Sequence, residues 1–219
     1  PDIPFDRSIN PYRGCEHGCV YCYARPTHAY LGLSPGLDFE TKIFAKPEAA
    51  ALLKTELARK TYRPAMIAMG TNTDPYQPLE KRLGITRAIL QVLSDCDHPV
   101  GITTKSALVL RDLDILAPMA AKGLARVAVS VTTLDAALAR KLEPRAATPS
   151  RRLATLKLLA ESGVPAMVMA APMIPGLNDQ ELEAILQAAN HAGASGAGYV
   201  LLRLPLEIKD LFGEWLTEH

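Results

Sequence analysis

The stretch Arg13-Gly14-Cys15-Glu16-His17-Gly18-Cys19-Val20-Tyr21-Cys22 limits what this chain can become more than any other. It carries three thiols at the spacing C-x3-C-x2-C and continues into Tyr23-Ala24-Arg25. Three soft ligands this close reach one centre only from an irregular loop, and Gly14 and Gly18 supply the backbone freedom to fold it. Thiolates suit iron–sulfur clusters, zinc or copper(I). A structural zinc site takes four protein ligands, usually as two separated pairs. A closed [4Fe–4S] cluster takes four cysteines. The remaining cysteine, Cys96, lies far along the chain in a polar segment. The loop therefore suggests a cluster with one iron left open to a small molecule. A zinc site completed by His17 or His28, and a disulfide with a spare thiol, are the rival readings.

A chain of 219 residues is long enough to bury a sizeable core and is expected to form one domain over 1–219, with 13–25 as its cluster loop. The net charge of +1 demands neither a nucleic-acid nor a membrane partner, and Arg151-Arg152 is only a pair. A local groove can still be basic in a neutral protein, so nucleic acid stays open as a substrate. No apolar run is long enough to cross a bilayer, and no signal peptide is evident. One tight trio of cysteines plus a stray is not a disulfide framework, so a reducing, cytoplasmic location is expected. The chain begins at Pro1 rather than methionine, and its last helix carries no stop signal. The expectation is further chain at either end, with a C-terminal extension over the open side of the fold.

Apolar runs alternate with helical periodicity. Strands are expected at Ser8–Tyr12, Ala65–Met69, Val100–Thr104, Ala125–Val131, Val164–Ala171 and Gly198–Leu204. Helices are expected near Pro47–Lys60, Pro78–Ser94, Leu110–Lys122, Asp135–Lys141, Pro149–Ser162 and Asn178–Ala192. Asn178 looks like an N-cap with Glu181 as its capping-box partner. A last amphipathic helix puts Ile208, Leu211, Phe212, Trp215 and Leu216 on one face. Six strand–helix units with near-continuous apolar strands argue an α/β parallel sheet covered by helices. Periodicity alone leaves an open doubly wound sheet and a barrel segment both standing. In either, chemistry sits at the carboxyl ends of the strands, where the cysteine loop falls.

The three-thiol spacing, with the aromatic Tyr21 just before the third cysteine, resembles the cluster loop of the radical S-adenosylmethionine (SAM) superfamily. The resemblance implies a partial (β/α)6 TIM-like barrel. It implies a [4Fe–4S] cluster held by Cys15, Cys19 and Cys22, whose open iron is chelated by the amino and carboxylate groups of SAM. Reduction, usually by a flavodoxin or ferredoxin, then cleaves SAM to a 5′-deoxyadenosyl radical that takes hydrogen from a substrate. Tyr21 falls among the implied cofactor contacts. The end of the second strand would hold the SAM amino group, with Asn72, Thr73 and Asp74 as candidates. Tyr76, Gln77 and Glu80 are candidates for substrate contact. Lys105 and Arg145 would meet the SAM carboxylate, Ser130 the ribose or carboxylate, and Met173 and Ile174 the adenine. The plainer readings are turn and cap chemistry for 72–80, a solvated Lys105, a backbone-bonded Ser130 and an Arg145–Glu143 ion pair.

Within that superfamily, Cys15 to Arg25 combined with Thr73-Asp74-Pro75-Tyr76-Gln77-Pro78-Leu79-Glu80, Thr104-Lys105-Ser106 and Glu143-Pro144-Arg145 resembles the spore-photoproduct-lyase-like branch, whose members are often described as DNA-repair-photolyase-like. Spore photoproduct lyases proper use a cysteine near the end of the second strand as hydrogen donor. Here that region reads Met69-Gly70-Thr71-Asn72-Thr73, without a thiol. Thymine-dimer repair by that route is therefore not expected, and the reaction is left as that of a lyase or modification enzyme of unassigned substrate. A non-catalytic iron–sulfur electron carrier or a zinc-binding module is the alternative.

Overall fold

A computed structural model describes residues 5–219; Pro1, where the expected domain begins, lies outside them. The described chain opens with β1 (Arg7–Ile9). A two-stranded antiparallel ribbon follows, β2 (Tyr12–Arg13) with β3 (Phe44–Ala45), and between them lie a 3-10 helix (Arg25–Leu31) and α1 (Leu37–Thr41). α2 (Ala49–Leu57) leads to β4 (Ile67–Met69), then α3 (Glu80–Leu83) and α4 (Ile85–Asp95) to β5 (Val100–Thr104). A 3-10 turn (Ala107–Asp112) and α5 (Leu113–Ala121) precede β6 (Ala125–Ser130). α6 (Ala136–Leu142) and α7 (Pro149–Glu161) precede β7 (Ala166–Met173). α8 (Leu182–His191), β8 (Gly196–Leu201) and α9 (Ile208–Glu218) complete the order.

Six strands pair in the order β1-β4-β5-β6-β7-β8, all parallel. The order never reverses, so there is no switch point of the doubly wound kind. Each new strand is added on the same side. Right-handed crossovers repeated in one direction put every helix on one face and turn the other inward, which is the geometry of a barrel segment. β1 and β8 are the two ends of the sheet, so the barrel is partial.

The two faces differ as the period-2 alternation of a strand requires. Ile67, Met69, Val100, Ile102, Val127, Val129, Ala166 and Val168 are buried against Ile89, Leu90, Leu93, Leu116, Met119, Leu156, Leu159 and Ile185 of the helices. A fully buried side chain of this size contributes about 2 kcal/mol, and this layer is the main core. The inward face carries Ala68, Gly101, Thr103, Ala128, Met167 and Met169, which are only half-buried. The strands are near-continuously apolar in sequence but alternate in burial, because one side looks into the open barrel.

Several expected boundaries move for local reasons. The first strand stops at Ile9 rather than Tyr12, since Pro11 has no N–H for a ladder. The helix expected over 78–94 is two: Gly84 adopts φ 65° and its N–H closes on Glu80 O at 3.0 Å, ending α3 before α4 begins. The helix expected from Leu110 starts at Leu113, after a 3-10 turn capped by Ser106 Oγ. Asn178 stands at the N-cap position of a 3-10 turn (Asp179–Glu181), but its side chain does not cap it. Its amide bonds Ile174 N, Thr132 O and Pro172 O, and Glu181 accepts from Thr133 Oγ1 and Leu134 N. On α9, Ile208 and Phe212 are buried, whereas Leu216 is exposed.

Candidate functional site

The cysteine loop lies against residues that follow the strands: Asp74 and Gln77 after β4, Lys105 after β5, Thr132 and Leu142 after β6. It therefore sits at the carboxyl end of the sheet. Gly18 has φ 68°, and a Cβ there would run into Arg145 and stand 2.7 Å from a Glu40 carboxylate oxygen. The positive φ favours glycine at that point, and a side chain would also displace the ends of Arg145 and Glu40.

Each segment of the loop is held by a different partner. The Gln77 amide accepts from Glu16 N at 2.9 Å and donates to Gly14 O at 3.1 Å. Cys15 N donates to Phe39 O at 2.9 Å, and Val20 N to Leu142 O at 3.0 Å. The buried Arg25 guanidinium donates to Cys19 O at 2.9 Å and Gly18 O at 3.0 Å, and bonds Glu40. Arg145 holds the outer side through Glu16 O and Glu40, while its own N–H reaches His17 O at 3.2 Å. A loop without regular structure has all these peptide groups to satisfy, and long polar side chains from elsewhere satisfy them.

Beneath the loop lies a buried charged network. The Tyr21 hydroxyl donates to Glu143, which also accepts from Thr132 Oγ1 at 2.6 Å and pairs with Arg152. Arg152 reaches on to Ser130 O at 3.0 Å and Ala147 O at 2.7 Å. Burial alone would raise the Glu143 pKa. The charges of Arg152 and Lys105, with the hydrogen bonds from Arg152 and Thr132, outweigh it and hold the carboxyl at about 2. Asp74 behaves alike: burial pushes it up, and His17, Lys105 N and Thr104 Oγ1 bring it to about 2. The thiols move the other way. Burial and the charges of Asp74, Cys19 and Cys22 push Cys15 well up. Burial raises Cys19 to about 12 although Lys105 offsets part of it, and burial raises Cys22 as well.

The predicted site residues separate into two sets. Lys105 and Asn72 are uncommitted: the Lys105 ammonium lies 5.8 Å from the Tyr21 ring centroid and the Asn72 amide is half-buried, and neither has a side-chain hydrogen bond or ion pair among the described residues. The rest are engaged with the protein. Thr73 Oγ1 donates to Tyr12 O at 3.0 Å, and Ser130 Oγ to Ala171 O at 3.1 Å. Asp74 accepts from Tyr76 N, Thr104 Oγ1 and Lys105 N and lies 3.4 Å from His17 Nδ1. Arg145 pairs with Glu40 instead of Glu143. Ile174 packs with Cys19, Tyr21, Leu142 and Phe212, while Met173 belongs to the main core. Tyr76 and Glu80 turn inward, to Asp112 and to Tyr12 with Arg111.

Glu143, Arg152, Arg25 and the clamping role of Gln77 are the parts the sequence reading missed. A charged residue bonded across such separations leaves no local pattern.

The four cysteines are free thiols, which removes the disulfide reading. Cys96 closes the C-terminus of α4 and is exposed. A helix antiparallel to its strands ends at their amino side, so Cys96 is at the wrong end of the sheet to join the other three. Among the described residues, no three His, Cys, Asp or Glu side chains converge to hold a single metal ion. A zinc ion draws its ligands to within about 2.3 Å of one point, whereas a cluster spreads its thiolates over separate corners. Three free cysteines on one loop, with the fourth at the other end of the sheet, fit the donor set of a cluster with one open iron.

A parallel α/β partial barrel with a three-cysteine loop at its carboxyl end defines the class. The chain belongs to the radical SAM superfamily, whose family model matches residues 9–189. An uncharacterized protein of Mycobacterium tuberculosis is 40% identical over 217 residues, covering 98% of this chain and 64% of that protein. One from Methanocaldococcus jannaschii is 30% identical over 173 residues, 79% of this chain and 62% of that protein. The chain thus spans a little less than two thirds of the length of these relatives. Among solved structures, a cysteine-to-serine mutant of spore photoproduct lyase superposes with a TM-score of 0.74 at 15% identity, over 100% of this chain and 63% of that one. Streptococcus suis SuiB bound to S-adenosylmethionine superposes with a TM-score of 0.65 at 15% identity, over 96% of this chain and 46% of that one. Both likenesses are of fold. No helix among the described residues is long and apolar enough to cross a membrane.

Proposed function

We propose that this chain is the cluster- and SAM-binding core of a radical SAM enzyme, with Cys15, Cys19 and Cys22 as ligands of a [4Fe–4S] cluster. The observation that carries the reading is three free thiols on one loop at the carboxyl end of the sheet, with the fourth cysteine at the other end. When bound and reduced by a carrier such as flavodoxin or ferredoxin, the cluster and SAM supply a 5′-deoxyadenosyl radical for hydrogen abstraction.

The protein's own contribution is placement and shielding. Lys105, a compact cation beside the thiols whose ammonium lies over the Tyr21 ring without a hydrogen-bond or ion-pair partner among the described residues, takes the SAM carboxylate. Asn72 takes the amino group. Thr73, Asp74, Ser130 and Arg145 hold the walls, through the bonds given above. Ile174, packed beside Cys19 and Tyr21, and Met173, at the end of β7 in the main core, offer apolar surface to the adenine. The half-buried inward face of small and flexible side chains leaves room for the substrate.

For the substrate we propose a nucleic acid. The support is the fold likeness to spore photoproduct lyase, one structure of which holds AdoMet and a dinucleoside spore photoproduct, at a TM-score of 0.71 and 16% identity. The thiol-free stretch Met69–Thr73 separates this chain's chemistry from repair that uses a cysteine there.

The test is anaerobic reconstitution with iron and sulfide, reduction, addition of SAM, and detection of 5′-deoxyadenosine by mass spectrometry. Product from the wild-type protein and none from Cys19→Ala is expected. An intact cluster that yields no product, with a paramagnetic spectrum indifferent to SAM, would mean an electron carrier instead.

A further inference from the structure

Gln77 is fully buried, and its amide makes two bonds that only an amide can make together. Its oxygen accepts from Glu16 N and its nitrogen donates to Gly14 O. These peptide groups lie on either side of Cys15, so one side chain brackets the backbone of the first thiol as a neighbouring strand would. The link is returned two residues further on, where Glu16 Oε2 accepts from Leu79 N at 2.5 Å. On the same turn Thr73 Oγ1 bonds Tyr12 O. The segment 72–80 and the first half of the cysteine loop are therefore tied to one another through side chains of both. Glutamate at position 77 would keep the acceptor and, when ionised, set a carboxylate against Gly14 O. Leucine would fill the space and leave both peptide groups unpaired.

We infer that Gln77 is a positioning residue: it fixes Cys15 relative to the turn carrying Asn72, and so sets the offset between the cluster and the SAM amino group. The second half of this inference rests on the function proposed above. Misplacement by about 1 Å is enough to cost a reaction about a hundredfold, so the bracket governs alignment rather than cluster uptake.

The experiment uses the full chain with Gln77→Leu, Gln77→Glu and, as a control on the same turn that trims a side chain but keeps the backbone bond from position 79 to Glu16, Leu79→Ala. In metal-free protein, iodoacetamide labelling of each cysteine is followed by mass spectrometry. In Gln77→Leu, Cys15 is expected to label at least about tenfold faster while Cys19 is unchanged, since only the local opening is eased. Gln77→Glu falls between, and Leu79→Ala stays near wild type. In reconstituted protein, Gln77→Leu is expected to keep wild-type iron content and lose the SAM-induced change in the spectrum of the reduced cluster. Unchanged Cys15 labelling, equal acceleration at all three cysteines, or a Leu79→Ala effect as large as that of Gln77→Leu would overturn the bracket. A normal SAM response in Gln77→Leu would overturn the coupling. A wild-type cluster indifferent to SAM would remove the functional reading, with the labelling ratio still deciding the bracket.

Discussion

Glu143 and Arg152 are both almost wholly buried and pair directly beneath the cysteine loop. Taking one member away leaves the other as an uncompensated charge in the interior. Glu143→Leu is therefore expected to lower unfolding free energy in urea by about 3–5 kcal/mol. Glu143→Leu combined with Arg152→Met should cost less than either single change, because no buried charge is left behind. Acid acts on the same carboxylates. Glu143 and Asp74 have folded pKa values of about 2, below their ordinary values of 4.5 and 3.8. The unfolded chain thus binds protons that the folded chain refuses. The stability these two groups contribute is complete above about pH 5 and is lost as the pH falls towards 2. Urea midpoints measured at pH 3, 5 and 7 should show a plateau from 5 to 7 and a drop at 3, smaller in the double variant. None of this pair was legible in the sequence as a pair. Glu143 looked like the partner of Arg145, two residues away, whereas the fold gives it Arg152 and Tyr21 and hands Arg145 to Glu40.

Strand β5 lies where its apolar run says, at Val100–Thr104, because a short β-rich run between two helices has no competing local structure. The helix expected over 78–94 was misread because apolar periodicity continues across Gly84, while the backbone there is left-handed and ends one helix before the next begins. A Cβ at Gly84 would meet nothing within 4 Å, so only the backbone conformation resists a side chain. Gly84→Ala is expected to lower stability by about 1–2 kcal/mol without changing the cysteine loop, read as a shifted urea midpoint with unchanged iron uptake. Gly18→Ala should do the reverse. Its side chain would sit at a positive φ and displace Arg145 and Glu40, which hold the loop, so iron content after reconstitution should fall while far-ultraviolet circular dichroism stays that of the wild type. The C-x3-C-x2-C spacing told where the thiols are. It said nothing of Gln77, Arg25 or Phe39, which hold them, since those bonds join elements remote in sequence or wait for the fold to form.

The main core between sheet and helices is separate from the two small apolar groups that include the cysteines, one around Tyr21 and Phe212, the other around Ala24 and Phe39. Removing iron should therefore loosen the loop and leave the sheet standing. Chelation of the reconstituted protein is expected to bleach its brown colour with little loss of helical signal and a modest fall in melting temperature. Collapse of the whole fold on chelation would show that the cluster, rather than the hydrophobic layer, organises the molecule. The partial barrel itself was half legible: six strand–helix units could be counted, but their spatial order could not, because periodicity does not say on which side a strand is added. That order leaves β1 and β8 as ends that do not meet.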